Sequence, residues 1–336
     1  MSLYKAETRR LVKRRFTKWL VIGSLVVLAA IAAGVFLSNQ KVGPAQVTQA
    51  KADAERDFQG AVQQTTQDQQ RCEAAKGTAD AANWPPDCSQ LYQPSREDFD
   101  YHNYMPSTFA FKTTFTVMVT TLAAIFALMA FVIGASFVGA EWNSGGMMNL
   151  LLWRPQRLKV LGTKLAALLV GLAALTTVTL VAWTGFFWLV GKLRGDTNGM
   201  TSGVWQSLAL TEVRAMVLVL AAAALGFGLA SLGRHTALAL GAAVGAVIVF
   251  QFGLVTVLSL AKVRFAEAFL APYWVSAWMD KSVKIEDWNT CDFSSSQGCE
   301  PATLTITWPM AGGVLALIIA LVVGAAMWTM RSRDIT

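Results

Sequence analysis

The chain is patterned in long apolar runs separated by polar stretches, not in the short alternations of a soluble fold. A helix crosses the hydrocarbon core in about 20 residues, and six runs are long enough. They are Trp19–Leu37, Phe115–Gly139, Val160–Val190, Val213–Leu232, Thr236–Ala261 and Trp308–Met330. The third is longer than a bilayer needs, so it tilts or extends beyond the membrane. The fourth and fifth are separated by Gly233, Arg234 and His235 alone, which predicts a tight helical hairpin. The first run follows a basic stretch, as in a signal peptide. It exceeds the apolar segment of about 7–15 residues found there, and is expected to remain as an uncleaved first span. The predicted fold is all-α, a polytopic membrane protein with six transmembrane helices.

The runs divide the chain. Residues 1–18 form a basic segment with apolar Leu3, Tyr4, Leu11, Val12 and Phe16. Two placements fit it: an amphipathic helix along the membrane face, or a solvated tail. Residues 38–114 are polar. Between Ala45 and Ala82 they are rich in helix formers and free of proline, which predicts one or two helices. Irregular structure follows around Pro85, Pro86 and Pro94. The segment suits either a small stapled domain or a cap on the helices. Residues 140–159 and 191–212 are short connections. Residues 262–307 carry Tyr273, Trp274 and Trp278 around Pro272. Aromatic residues of this kind suit a membrane interface, as a re-entrant helix pair or as a helix outside the bilayer. Residues 331–336 are a short tail.

Charge adds the orientation. Only 15% of the 336 residues are charged against 54% hydrophobic, with a net charge of +7. The side shared by both termini collects Lys5, Arg9, Arg10, Lys13, Arg14, Arg15, Lys18, Arg154, Arg157, Lys159, Lys164, Arg234, Arg331 and Arg333. Against these stand Glu7, Glu141 and Asp334 alone. Acidic residues outnumber basic ones in the longer loops opposite. Basic short loops stay on the cytoplasmic side, so both termini are expected there, in an inner (cytoplasmic) membrane. The basic excess is thereby explained without nucleic acid, which would want a basic patch on a soluble domain. Cys72, Cys88, Cys291 and Cys299 all fall in the two large exterior segments. Disulfides persist outside the cytosol, and local pairing is favoured: Cys72–Cys88 and Cys291–Cys299. Each bridge restricts its loop by roughly 2–3 kcal/mol in the chain-entropy model. The spacing suits no zinc site.

Catalytic patterns are absent from the sequence. There is no phosphate loop, no H-E-x-x-H, no G-x-S-x-G and no Cys/His cluster, so neither enzyme activity nor a cofactor of the chain's own is expected. Glu212 and Arg214 stand where the fourth span begins. Two residues apart on a helix, they do not face each other. They fit pathway or inter-helix contacts, and equally an outer-interface position.

The turn between the second and third spans is the most informative stretch: Glu141-Trp142-Asn143-Ser144-Gly145-Gly146-Met147-Met148-Asn149-Leu150-Leu151-Leu152-Trp153-Arg154-Pro155-Gln156-Arg157. Asn143 or Ser144 suits a helix start. Met147, Met148, Leu150, Leu151 and Trp153 then make a short apolar helix closed by Pro155. Such side chains beside a membrane call for a partner.

Here the sequence resembles the ABC type-2 permease family. The resemblance rests on Glu-Trp-x-x-Gly, an apolar helix, then Arg-Pro-x-x-Arg, and covers Glu141, Trp142, Gly145, Leu151, Leu152, Arg154, Pro155 and Arg157. In that family the element is a coupling helix, seated in a groove of the ATP-hydrolysing subunit. The resemblance implies a permease subunit of an exporter, an ABC ATPase partner that holds ATP and magnesium, and a second permease copy. The ending Arg331-Ser332-Arg333-Asp334 is similar to the family's close. Two other classes remain beside it: a secondary transporter or channel, and a membrane-anchored sensor or assembly protein. Substrate identity is not encoded in any motif.

The six-span topology predicts a labelling pattern. Single cysteines near Thr8 and Ser332 should resist impermeant thiol reagents in intact cells. One near Gln64, in a background without native cysteines, should react. Labelling of the termini from outside would contradict it.

Overall fold

The computed structural model describes residues 3–153, 156–287 and 300–332, with the backbone alone at Leu151 and Trp153. Arg154, Pro155, Arg333, Asp334 and the expected Cys291–Cys299 bridge lie outside the described residues. The architecture is mostly helical. Six helices are long and apolar enough to cross a membrane: α2 (Arg15–Ser38), α4 (Phe111–Asn143), α6 (Arg157–Arg194), α7 (Ser202–Gly233), the helix Thr236–Leu260 and α11 (Trp308–Ser332). The chain divides into two compact units.

The first unit holds residues 1–31, 112–186 and 199–336. Along α4, Phe115, Val119, Leu122, Phe126, Met129, Ile133 and Phe137 are all buried. Their three- and four-residue spacing makes one stripe down the helix. The buried stripe of α7 is small instead, with Ala215, Ala223, Gly226 and Ala230. Small residues let helix backbones approach where lipid supplies no hydrophobic force between helices. At Gly226 and Gly134 this is obligatory. A Cβ on Gly226 would run into the Phe131 carbonyl, and one on Gly134 into that of Ala223. In α7, 56% of the most apolar window is buried, against 6% in Thr236–Leu260. The former is thus the pillar of the unit and the latter its open face.

Local chemistry sets the helix ends. The Val204 amide donates to Thr201 Oγ1 at 3.4 Å to start α7, and Arg234, at φ 53°, ends it in the left-handed region. His235 Nδ1 then accepts from the Ala237 amide at 3.1 Å to open α8 (Thr236–Ala246). This is the hairpin expected at Gly233, Arg234 and His235. The fifth span is not a uniform α-helix. A π-helical stretch, Val247–Leu254, separates α8 from α9 (Val255–Leu260).

Among the described residues of 262–307, a 3-10 turn (Ala266–Phe269) precedes the α-helix α10 (Ala271–Asp280), which carries Pro272 in its first turn. A hairpin follows, β3 (Ser282–Asp287) antiparallel to β4 (Ala302–Thr307), with Val283 opposite Ile306 and Ile285 opposite Leu304. Ala277, Ile285, Ile306 and Ala311 form their shared core. The hairpin corrects a purely helical expectation for this segment.

The second unit holds residues 32–111 and 187–198. Its long helix α3 (Pro44–Ala75) begins at Pro44, whose missing N–H costs nothing in a first turn. Four short 3-10 turns follow between Ala79 and Tyr104. Phe99 meets Phe58 edge-on at 5.8 Å, and Arg96 pairs with Glu55 at 2.9 Å. Cys72 and Cys88 are joined, their Cα atoms 5.9 Å apart. A two-residue parallel pair, β1 (Phe109–Ala110) with β2 (Gly195–Asp196), completes the unit.

The backbone contact at Gly226 makes a prediction. Gly226→Val should destabilise the purified protein by about 1–3 kcal/mol or more, the range for overpacking. Gly23→Val, where the added group meets open space, should leave thermal melting in detergent nearly unchanged.

Candidate functional site

The turn between the second and third spans is built by a glycine. The Ser144 amide still donates to the Ala140 carbonyl at 3.1 Å, and Gly145 to Trp142 at 3.2 Å, closing α4. Gly145 takes φ +70°, a conformation other residues rarely adopt. The chain thereby reverses into α5 (Gly146–Trp153). Met147 is fully buried and Leu152 is 77% exposed. This corrects the expectation that Met147 faces outward: it anchors the helix to its own chain. Asn149 and Leu152, three positions apart, are left on the exposed face.

Trp142 and Glu141 fix the base of the turn. The Arg234 guanidinium lies 5.1 Å from the centre of the Trp142 ring, in cation–π range. The α7–α8 hairpin and the turn are therefore neighbours. A Cβ on Gly139 would collide with Thr236 nearby. Glu141 points the other way, into an ion cluster that sequence reasoning did not assemble. Lys164 of α6 is fully buried and donates to two carboxylates: Glu7 Oε2 at 2.7 Å and Glu141 Oε2 at 2.6 Å. Glu7 belongs to the N-terminal helix α1 (Leu3–Lys13) and is also fully buried. Arg10 adds a second cation, 3.2 Å from Glu7 and 3.9 Å from Glu141. Two carboxylates and two cations thus close a neutral set.

Aromatic and backbone groups complete it. The Lys164 ammonium sits 5.1 Å from the centre of the Phe137 ring. Arg14 donates to the Ser136 carbonyl at 3.0 Å, its guanidinium 5.9 Å from the same ring. Burial holds the Arg14 guanidinium below its ordinary pKa, with Glu141 opposing the shift. The cluster ties together three segments far apart in sequence: α1, the end of α4 and the start of α6. One signal for it stood in the sequence, a lysine placed within an apolar run, since buried charge persists only when partnered.

Glu212 and Arg214 do not pair. Thr184 of α6 donates to Glu212, while Arg214 donates to the Met279 carbonyl at 3.4 Å and stacks 5.4 Å from the Trp308 ring. The Arg214 carbonyl accepts from Trp278 Nε1 at 3.0 Å. Each residue joins α7 to a different neighbour. Among the described residues, no group of three His, Cys, Asp or Glu gathers to hold a metal.

These features define a class, a multi-pass helical membrane protein with a short apolar turn-helix set on an ion-paired base. The family comparison is specific. The model of the ABC-2 family transporter proteins matches residues 1–331, and the chain belongs to that family. A comparison with curated proteins finds no match.

The cluster predicts an asymmetry between single and double changes. Lys164→Met leaves two carboxylates facing each other and should cost about 3–5 kcal/mol, as for other broken buried pairs. Glu7→Leu combined with Lys164→Met should recover part of this loss. Thermal melting of the solubilised single and double variants measures it.

Proposed function

We propose that this chain is the permease subunit of an ABC exporter in the inner (cytoplasmic) membrane, with both termini in the cytoplasm. In this reading it has no catalytic site. ATP and magnesium are bound by a separate ATPase subunit, and a second permease copy completes the pathway. Family membership supports the permease class. The observation that carries the coupling role is the position of Glu141, which begins the turn and also closes the buried cluster at Lys164.

Mechanically, α5 presents Leu152 outward on a helix whose root cannot shift alone. Displacement of Glu141 strains its contact with Lys164, and through Lys164 and Arg10 it loads α6 and α1. A push from a docked ATPase therefore reaches three elements together. Burial makes this transmission stiff, because separating the charges leaves one uncompensated in a poorly solvated site. Trp142 beside Arg234 gives a second route, into the α7–α8 hairpin. In the same reading Met147 and Gly145 shape the coupling element. Met148, Leu151, Leu152, Trp153, Arg154, Pro155 and Arg157 supply or flank its docking surface. Glu212 and Arg214 stay inter-helix contacts that hold α7 to its neighbours.

Docking anchors often carry most of an interface's energy, about 2 kcal/mol or more each, or roughly thirtyfold in affinity. Leu152→Asp, Leu151→Asp and Trp153→Ala should each reduce the co-purified ATPase subunit or its substrate-stimulated hydrolysis by about that factor. Glu141→Ala should affect docking less and coupling more. Membrane insertion should stay normal in all four. Unchanged transport by these variants, or purification without any ATPase subunit, would overturn the reading.

A further inference from the structure

A crevice of about 460 Å³ lies within the first unit, between α7, the fifth span, α10 and α11. That volume falls in the range of roughly 300–1,000 Å³ typical of small-molecule sites. Its walls include Leu218, Phe250, Trp274, Trp278 and Val314. Among the described residues lining it, Gln251 alone carries a polar side chain beyond the two indoles. Both indole N–H groups are already engaged: Trp274 donates to the Ala268 carbonyl at 2.7 Å, and Trp278 to that of Arg214 at 3.0 Å. The Trp278 ring also lies against Gly312, where an added Cβ would come within 2.7 Å of it. Two walls are thus held in place, and the crevice is preformed. Gln251 differs from them. It stands within the fifth span, half-buried, and its amide has no hydrogen-bond partner among the described residues. An amide offers two donors and an acceptor, and the acyl chains of lipid satisfy none of them. π-helical turns recur at functional positions. Val247, Phe250 and Gln251 all belong to the π-helical stretch, and all three line the crevice.

We propose that the crevice binds an uncharged lipophilic small molecule that carries a hydroxyl or amide group. The apolar body fills the space between the two indoles, Leu218 and Val314. Its polar group exchanges hydrogen bonds with the Gln251 amide. No lysine, arginine, aspartate or glutamate is among the described residues lining the crevice, so an ionised ligand would be buried without a partner. The cation beside Trp278, Arg214, is committed elsewhere, to the Met279 carbonyl and the Trp308 ring. The same lack of a cation excludes a phospholipid headgroup, whose phosphate would stay unpaired. A plain hydrocarbon chain would fit the walls and leave the amide unsatisfied, which is unfavourable away from water. As a station for an exported substrate the crevice rests on the permease reading above; the binding itself does not.

Photolabelling of the purified full chain with a diazirine-bearing dodecanol, without any ATPase subunit, tests the site apart from that reading. Labels should concentrate on peptides of the fifth span, α10 and α11. At equal mole fraction in the detergent, unlabelled dodecanol should compete about fivefold better than dodecane, the worth of one hydrogen bond. Dodecanoate and dodecyltrimethylammonium should compete no better than dodecane. Gln251→Leu should remove the advantage of the hydroxyl while labelling persists. Val314→Trp, at a partly exposed wall position, should abolish labelling and Val314→Ala should keep it, with thermal melting confirming the fold of each. Labels spread evenly over all the spans, or equal competition by dodecanol and dodecane in wild type, would overturn the proposal. So would a crevice left unlabelled because a retained phospholipid or a second copy of the chain occupies it.

Discussion

Everything at the basic end of this protein depends on one buried ammonium group. Lys164 has no exposed surface and two carboxylate partners within 2.7 Å. An unpaired charge there would cost several kcal/mol, even after relaxation. Glu7 must therefore come to it, which pins the N-terminal helix. Glu141 must come as well, which pins the end of the second span. The turn-helix α5 thus starts from a point fixed by three segments. A surface pair would not have this effect, because solvent would screen it and side-chain freedom would loosen it. Isosteric apolar residues can match the stability of a buried ion set. What they lack is the requirement that three elements meet at one place.

The rest of the first unit shows the opposite economy. α7 is held by backbone contacts at Gly226 and Gly134, and by Arg214 reaching α10 and α11. Lys281, after α10, also reaches Ser207 of α7 at 3.2 Å. The fifth span has little of this. Its most apolar window is 6% buried, its middle is π-helical, and Gly241 and Gly245 face open space. π-helical stretches often mark functional positions in helices. Under the proposed function, this open face is where lipid or the second permease copy meets the chain.

The sequence made some of this plain and hid the rest for physical reasons. Six spans were readable because a bilayer demands long apolar runs. The α7–α8 turn was readable because only Gly233, Arg234 and His235 separate two of them. The long helix α3 followed from a proline-free stretch of helix formers. The hairpin was harder. Leu304 and Ile306 alternate with Thr303, Thr305 and Thr307, a strand pattern, but it lies in a segment dominated by tryptophans and a proline. The outward or inward aspect of Met147 was undecidable from an apolar octapeptide, where nearly every position is hydrophobic. The ion cluster needed three dimensions, since Lys164 and Glu7 lie 157 positions apart. Lys164 alone signalled that some partner existed, without naming it.

The central claim is that α5 is the surface through which an ATP-hydrolysing subunit drives this chain. A photo-crosslinking amino acid at position 152, where the native leucine is 77% exposed, tests it most directly. In native membranes the account predicts a crosslink to the ATPase subunit whose yield changes when ATP is supplied. A crosslink only to lipid, or only within this chain, with no response to ATP, would contradict it.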